Sequence, residues 1–110
     1  MRALGVIALA FAFAGPALAT TGSPHAGKVV FKARCGTCHT LKAAGTISKG
    51  GNQGPTLTNR RETVAKVMAE MTGSNTGLMP IFVGLISPQQ IKDVVAFVVA
   101  ATKPGVTVIK

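Results

Sequence analysis

Cys35-Gly36-Thr37-Cys38-His39 decides how this chain is read. The protein has two cysteines, and both fall in these five residues beside a histidine. Positions i, i+3 and i+4 share one face of a helical turn. Both thiols and the imidazole are therefore offered to one object. Two cysteines so close together cannot staple a fold, which excludes a disulfide scaffold.

C-x-x-C-H is the attachment signature of a c-type haem. The two sulfurs reach the two vinyl groups along one haem edge, and His39 places a ring nitrogen on the iron. Two other chemistries compete for the motif. A C-x-x-C redox pair belongs beside a βαβ unit, and no parallel strands are read here. A zinc site needs four ligands. Cys35, Cys38, His39 and His25 would make four, but the adjacent Cys38 and His39 do not both turn toward one metal.

Outward from the motif, the N-terminus has a different character. Arg2 is the one charged residue before Lys28, and Leu4 to Leu18 is an almost unbroken apolar run ending in Ala17-Leu18-Ala19. That is the anatomy of a secretory leader with a small-x-small cleavage site. The run falls short of the ~20 residues that span a bilayer. The expected organisation is a cleaved signal peptide over 1–19 and one domain over 20–110, exported to the periplasm or the outer face of the cytoplasmic membrane. Cleavage removes Arg2 and leaves a net charge of +8 against three acids, Glu62, Glu70 and Asp93. The domain keeps Phe31, Phe82 and Phe97 and has no Trp or Tyr. A chain this small buries only ~60–65% of its surface, so a cofactor is expected to complete the core. The basic residues are dispersed and aromatic stacking platforms are missing, which argues against nucleic acid. No stretch after the leader is long and apolar enough to cross a membrane.

Local signals describe an all-α domain with long Gly-rich loops. Ser23-Pro24 is an N-cap with proline at the first helical position, opening a helix from about Pro24 to Arg34. Residues 41–57 carry four glycines and read as a long loop, unusual in a compact domain unless it wraps something. Asn59 with Glu62 fits a capping box for a second helix ending near Met71 or Thr72, with Gly73 as its stop. Val64, Val67, Met68 and Met71 mark its apolar face. Ser87-Pro88-Gln89-Gln90 caps a last helix whose Ile91, Val94, Val95 and Val98 recur at i, i+3, i+4 and i+7. Val106 to Ile109 reads as a short extended tail.

The far side of the iron needs a second ligand. Met79 is the leading candidate, because Pro80 biases it toward an extended backbone that projects the side chain from a loop. Met68 and Met71 sit on a helix face, where Met is ordinarily core. His25 would make a bis-histidine site. A ligating histidine donates its other N–H to an acceptor, which the carbonyls of the Gly54-Pro55-Thr56-Leu57 turn can supply.

The chain resembles the class I c-type cytochromes over nearly all of its mature length. The resemblance rests on Cys35-x-x-Cys38-His39, Gly54-Pro55-x-Leu57, Met79-Pro80 and the Ser87-x-x-Gln90 to Phe97 run. It implies a cytochrome c fold, with three to four helices wrapped around one haem c bound through Cys35 and Cys38. It implies His39 and Met79 as axial iron ligands, with the Pro55 carbonyl receiving the His39 N–H. Gly27 and Phe31 match the family's Gly-x-x-x-aromatic, and Val94 and Phe97 match the positions that cross it. Asn59, Arg60, Arg61 or Gln53 would take the propionates, in place of the aromatic residues usual there, and Asn75 would bond the Met79 sulfur. The implied function is outer-sphere electron transfer, as a free carrier or as the haem-bearing subunit of an oxidase or dehydrogenase complex. Redox partners with acidic docking surfaces are expected, met by Lys28, Lys32, Lys42, Lys49, Lys66 and Lys92.

Overall fold

Ser23 opens the first helix as its sequence requires: its hydroxyl accepts the Ala26 N–H at 3.2 Å, and α1 runs Pro24–Arg34. The structure, a computed structural model, describes residues 22–48, 54–73 and 79–110. The expected leader, Lys49, Gln53 and Asn75 lie outside the described residues. Two further α-helices follow, α2 (Val64–Thr72) and α3 (Pro88–Ala101), and no strand is found among the described residues. None of the described helices is long and apolar enough to cross a membrane. The all-α class stands.

Helices α1 and α3 form the frame. A Cβ built on Gly27 would lie 1.9 Å from the Asp93 carbonyl oxygen and 2.8 Å from Phe97 Cβ, so only glycine permits this crossing. Phe31 and Phe97 meet beside it with ring centroids 5.5 Å apart at 56°. Asp93 is buried at the same crossing. Its Oδ1 accepts the Ser23 N–H at 2.8 Å and the Gln89 amide at 2.9 Å. That places a carboxylate at the positive end of α1. The full capping box at Ser87 is present, and Ile91, Val94, Val95 and Val98 are all buried.

The start of α2 corrects the sequence reading. Asn59 does not cap it. Thr63 does, accepting the Lys66 N–H at 3.2 Å. An N-cap needs extended backbone, whereas Asn59 sits at φ 63, and its side chain accepts the Gly105 N–H at 3.0 Å. Its carbonyl oxygen therefore serves the turn after α3. Gly73, at φ +112, ends α2 as expected. Val64 is 56% exposed rather than part of the apolar face, which is built from Val67 and Met71.

Within the expected 41–57 loop, residues 41–46 have more order than a plain loop. Leu41 pairs with Thr46 through an isolated bridge around the 3₁₀ turn Lys42–Ala44, and Leu41, Ala43 and Ala44 are buried. The tail forms no strand. It lies against α1, where Lys28 Nζ donates to the Ile109 carbonyl at 2.8 Å.

Candidate functional site

The motif sits on the turn that continues α1. Cys35 N–H donates to the Phe31 carbonyl at 2.8 Å, and His39 N–H to the Cys35 carbonyl at 2.9 Å, so the turn keeps helical spacing through His39. Gly36 backs onto Thr46, whose hydroxyl donates to the His39 carbonyl at 2.9 Å; a Cβ on Gly36 would meet the Thr46 methyl at 2.7 Å. The chain then returns alongside. Gly54 N–H donates to the Cys38 carbonyl at 2.7 Å and Leu57 N–H to the Thr40 carbonyl at 2.8 Å. These two bonds bracket His39 and bring its Nδ1 to 2.9 Å from the Pro55 carbonyl oxygen. With Nδ1 donating there, Nε2 is the nitrogen left for a metal. Gly54 lies flat against the ring, where a Cβ would come within 2.3 Å of Cε1. The sequence reading named the turn but not this contact; a glycine preceding Pro55 was the available signal.

Cys35 is buried, and burial, reinforced by the neighbouring Cys38, pushes its thiol up to about 12. A redox-active C-x-x-C uses an accessible thiol held low, whereas Cys35 is buried. No cluster of three or more His, Cys, Asp or Glu able to hold a metal is found among the described residues.

Cys35, Cys38 and His39 line a cavity of about 600 Å³, within the ~300–1,000 Å³ of cofactor-sized sites. Phe31, Val94 and Val98 of the α1–α3 frame wall it, and Leu57, Val67 and Phe82 close it. Met79 and Pro80 line it too, together with the buried Met71. Met71 also holds the Met79 segment, accepting the Phe82 N–H on its carbonyl at 2.8 Å. Met68 touches the core but not the cavity, and His25 is exposed in the first turn of α1. Of the residues expected to meet propionates, Arg60 lines the cavity; Asn59 and Arg61 do not. Arg34, Glu62, Lys66 and Glu70 add a charged rim that sequence pattern did not reveal. Among the expected docking lysines, Lys32, Lys42, Lys66 and Lys92 are exposed. Lys28 is drawn onto the tail and Lys66 pairs with Glu62.

A family model described as cytochrome C oxidase, cbb3-type, subunit III matches residues 22–98, which include the motif, the His39 acceptor and Met79. Cytochrome c6 of Nostoc sp. is 33% identical over 100 residues, covering 86% of this chain and 84% of its own. Cytochrome c6 of Rippkaea orientalis is 32% identical over 109 residues, covering 90% and 92%. Cytochrome c6 of Limnospira maxima is 35% identical over 89 residues, covering 76% and 99%. No solved structure matches the chain. The chain belongs to the class I c-type cytochromes. Its cofactor is a covalently attached haem c with its iron, and its activity is electron transfer. The site fits that group by its own chemistry. Two thiols and one imidazole share one wall, a thioether lines the cavity, and apolar side chains close the rest.

Proposed function

We propose that this cytochrome is a monohaem electron carrier whose iron is held between His39 and Met79, with haem bonded to Cys35 and Cys38. The observation that carries the assignment is the His39 Nδ1 to Pro55 oxygen bond at 2.9 Å, on a cavity that Met79 also lines. The Pro55 carbonyl orients the imidazole and raises its basicity. A Met ligand and an apolar pocket favour the ferrous iron and raise the potential. With His39 and Met79 both holding the iron, it would have no open position for a substrate, and exchange would be outer-sphere. The oxidised protein should show the sulfur–iron absorption band, and Met79→Ala should abolish it. A band that survives the substitution moves the ligand to Met71, the other sulfur on the cavity.

The partner presents an acidic docking surface. Asp93 is buried, the Glu62 side chain is 7% exposed, and Glu70 is partly buried on the cavity wall. The chain has no other acidic side chain. Its solvent face is therefore almost purely cationic. Such a field steers an acidic partner and weakens as salt rises. Ile81, Val83 and Leu85 stand exposed on the segment that follows Met79 and supply apolar contact area there. Residues 1–19 act as a cleaved leader, which sets the carrier in the periplasm or on the outer face of the cytoplasmic membrane. Intact mass spectrometry should find a chain beginning at Thr20 plus one haem.

The family description points to a second role, as a subunit of an oxidase complex. Gel filtration of native extract separates the two: a free carrier elutes at its own size, and constant co-elution with a larger enzyme defeats the free-carrier assignment.

A further inference from the structure

We propose that Glu62, opposed by Lys66, sets the reduction potential of the haem by holding a carboxylate in the wall of its cavity; this rests on the haem lying where Cys35, Cys38 and His39 converge. Glu62 and Lys66 both line the cavity; the Glu62 side chain is 7% exposed, and that of Lys66, 3.6 Å from the Glu62 Oε1, is 56% exposed. The cation of the pair is thus screened by water and the anion is not. The other charged groups on the cavity are Arg34 from α1, Arg60 from the loop before α2, and Glu70 from α2.

The backbone is arranged to keep Glu62 there. Asn59 and Arg61, neither a glycine, occupy the left-handed region at φ 63 and φ 56. The buried Thr102 at the end of α3 holds the segment. Its carbonyl accepts the Arg61 N–H at 2.8 Å, and its hydroxyl accepts the Glu62 N–H at 2.9 Å. Asn59 accepts the Gly105 N–H at 3.0 Å. Strained backbone persists where its surroundings over-determine it, and it clusters at functional sites.

The sign follows from Coulomb attraction in a site of reduced dielectric constant. A carboxylate favours the ferric iron, which carries one more positive charge, and so lowers the potential. Glu62 makes no bond to the iron and acts only through its charge; it is a positioning residue for the field. A purely structural Glu62, an acid ahead of the α2 N-cap, would alter melting and leave the potential alone.

Spectroelectrochemical titration of the holoprotein tests this. Glu62→Gln should raise the midpoint potential, Lys66→Gln should lower it by a smaller amount, and the double variant should fall between them. Glu62→Asp, which keeps the charge, should stay closer to the parent than Glu62→Gln does. A Glu62→Gln holoprotein with the parent's potential overturns the proposal. So do shifts of the same sign from Glu62→Gln and Lys66→Gln, or a larger rise from Glu70→Gln than from Glu62→Gln. Should Glu62→Gln not fold, Lys66→Gln on its exposed side chain still reads the field, and an unchanged potential there counts against it. A parent protein without thioether-bonded haem would defeat the haem assignment itself, a failure visible before any variant is made.

Discussion

The two walls of the haem cavity are held by different means. The Cys35–Leu57 wall is a backbone construction: the Cys38 and Thr40 carbonyls accept from Gly54 and Leu57, and Thr46 closes onto His39. Gly36 and Gly54 are glycines because the Thr46 methyl and the His39 ring occupy the space of a side chain. The wall that carries Met79 relies more on side chains. Phe82 and Ile86 point inward while Ile81, Val83 and Leu85 face solvent, and the Phe82 N–H to Met71 carbonyl bond ties the segment to α2. One wall fixes geometry through hydrogen bonds that leave little room for adjustment. The other excludes water by packing and leaves apolar area outside. An electron carrier has use for both, since its ligand field must be constant while its surface meets a partner.

Substitutions can break or sharpen this contrast. The largest effect belongs to the first wall. With Cys35 and Cys38 both changed to Ala, acidified organic solvent should extract all haem from the polypeptide, whereas the parent should retain it and show no free thiol after denaturation. Met79→Ala should come next. Haem stays attached, the sulfur–iron band disappears, the potential falls, and unfolding in denaturant loses about 2 kcal/mol or more, as for truncation of a packed Met. Gly54→Ala should cost about 1–3 kcal/mol by overpacking against the His39 ring, and it should disturb the iron–imidazole signals in the spectrum. An Ala at 54 with parental stability and spectrum would mean that the first wall is as yielding as the second. Smallest are Ile81→Ser and Val83→Ser. Stability should stay within about 0.5 kcal/mol, while electron exchange with the partner slows. Unchanged exchange would remove the apolar strip from the docking face.

Much of this site is legible in the chain because its chemistry is local. Spacing alone carries Cys35, Cys38 and His39, because one helical turn sets their geometry. Ser23 and Ser87 cap their helices for the same reason. Asn59 misled because a capping pattern is judged on three residues, while its side chain is claimed by Gly105, 46 positions away in sequence. Met71 and Met68 are equivalent by periodicity, yet Met71 lines the cavity and Met68 does not. Glu62 read only as the second half of that capping pattern, and nothing in the pattern set it on the cavity.

By itself the sequence pointed to the cofactor, marked the three helices and set Cys35, Cys38 and His39 in one turn, because covalent spacing, capping and apolar periodicity act within a turn or two of chain. The tertiary structure alone decided that Met71 joins Met79 on the cavity, that Asp93 is buried at the helix crossing, and that Glu62 and Glu70 line the cavity. Those outcomes depend on where distant segments cross, and the crossing of α1 and α3 at Gly27 is governed by steric room that no local pattern measures.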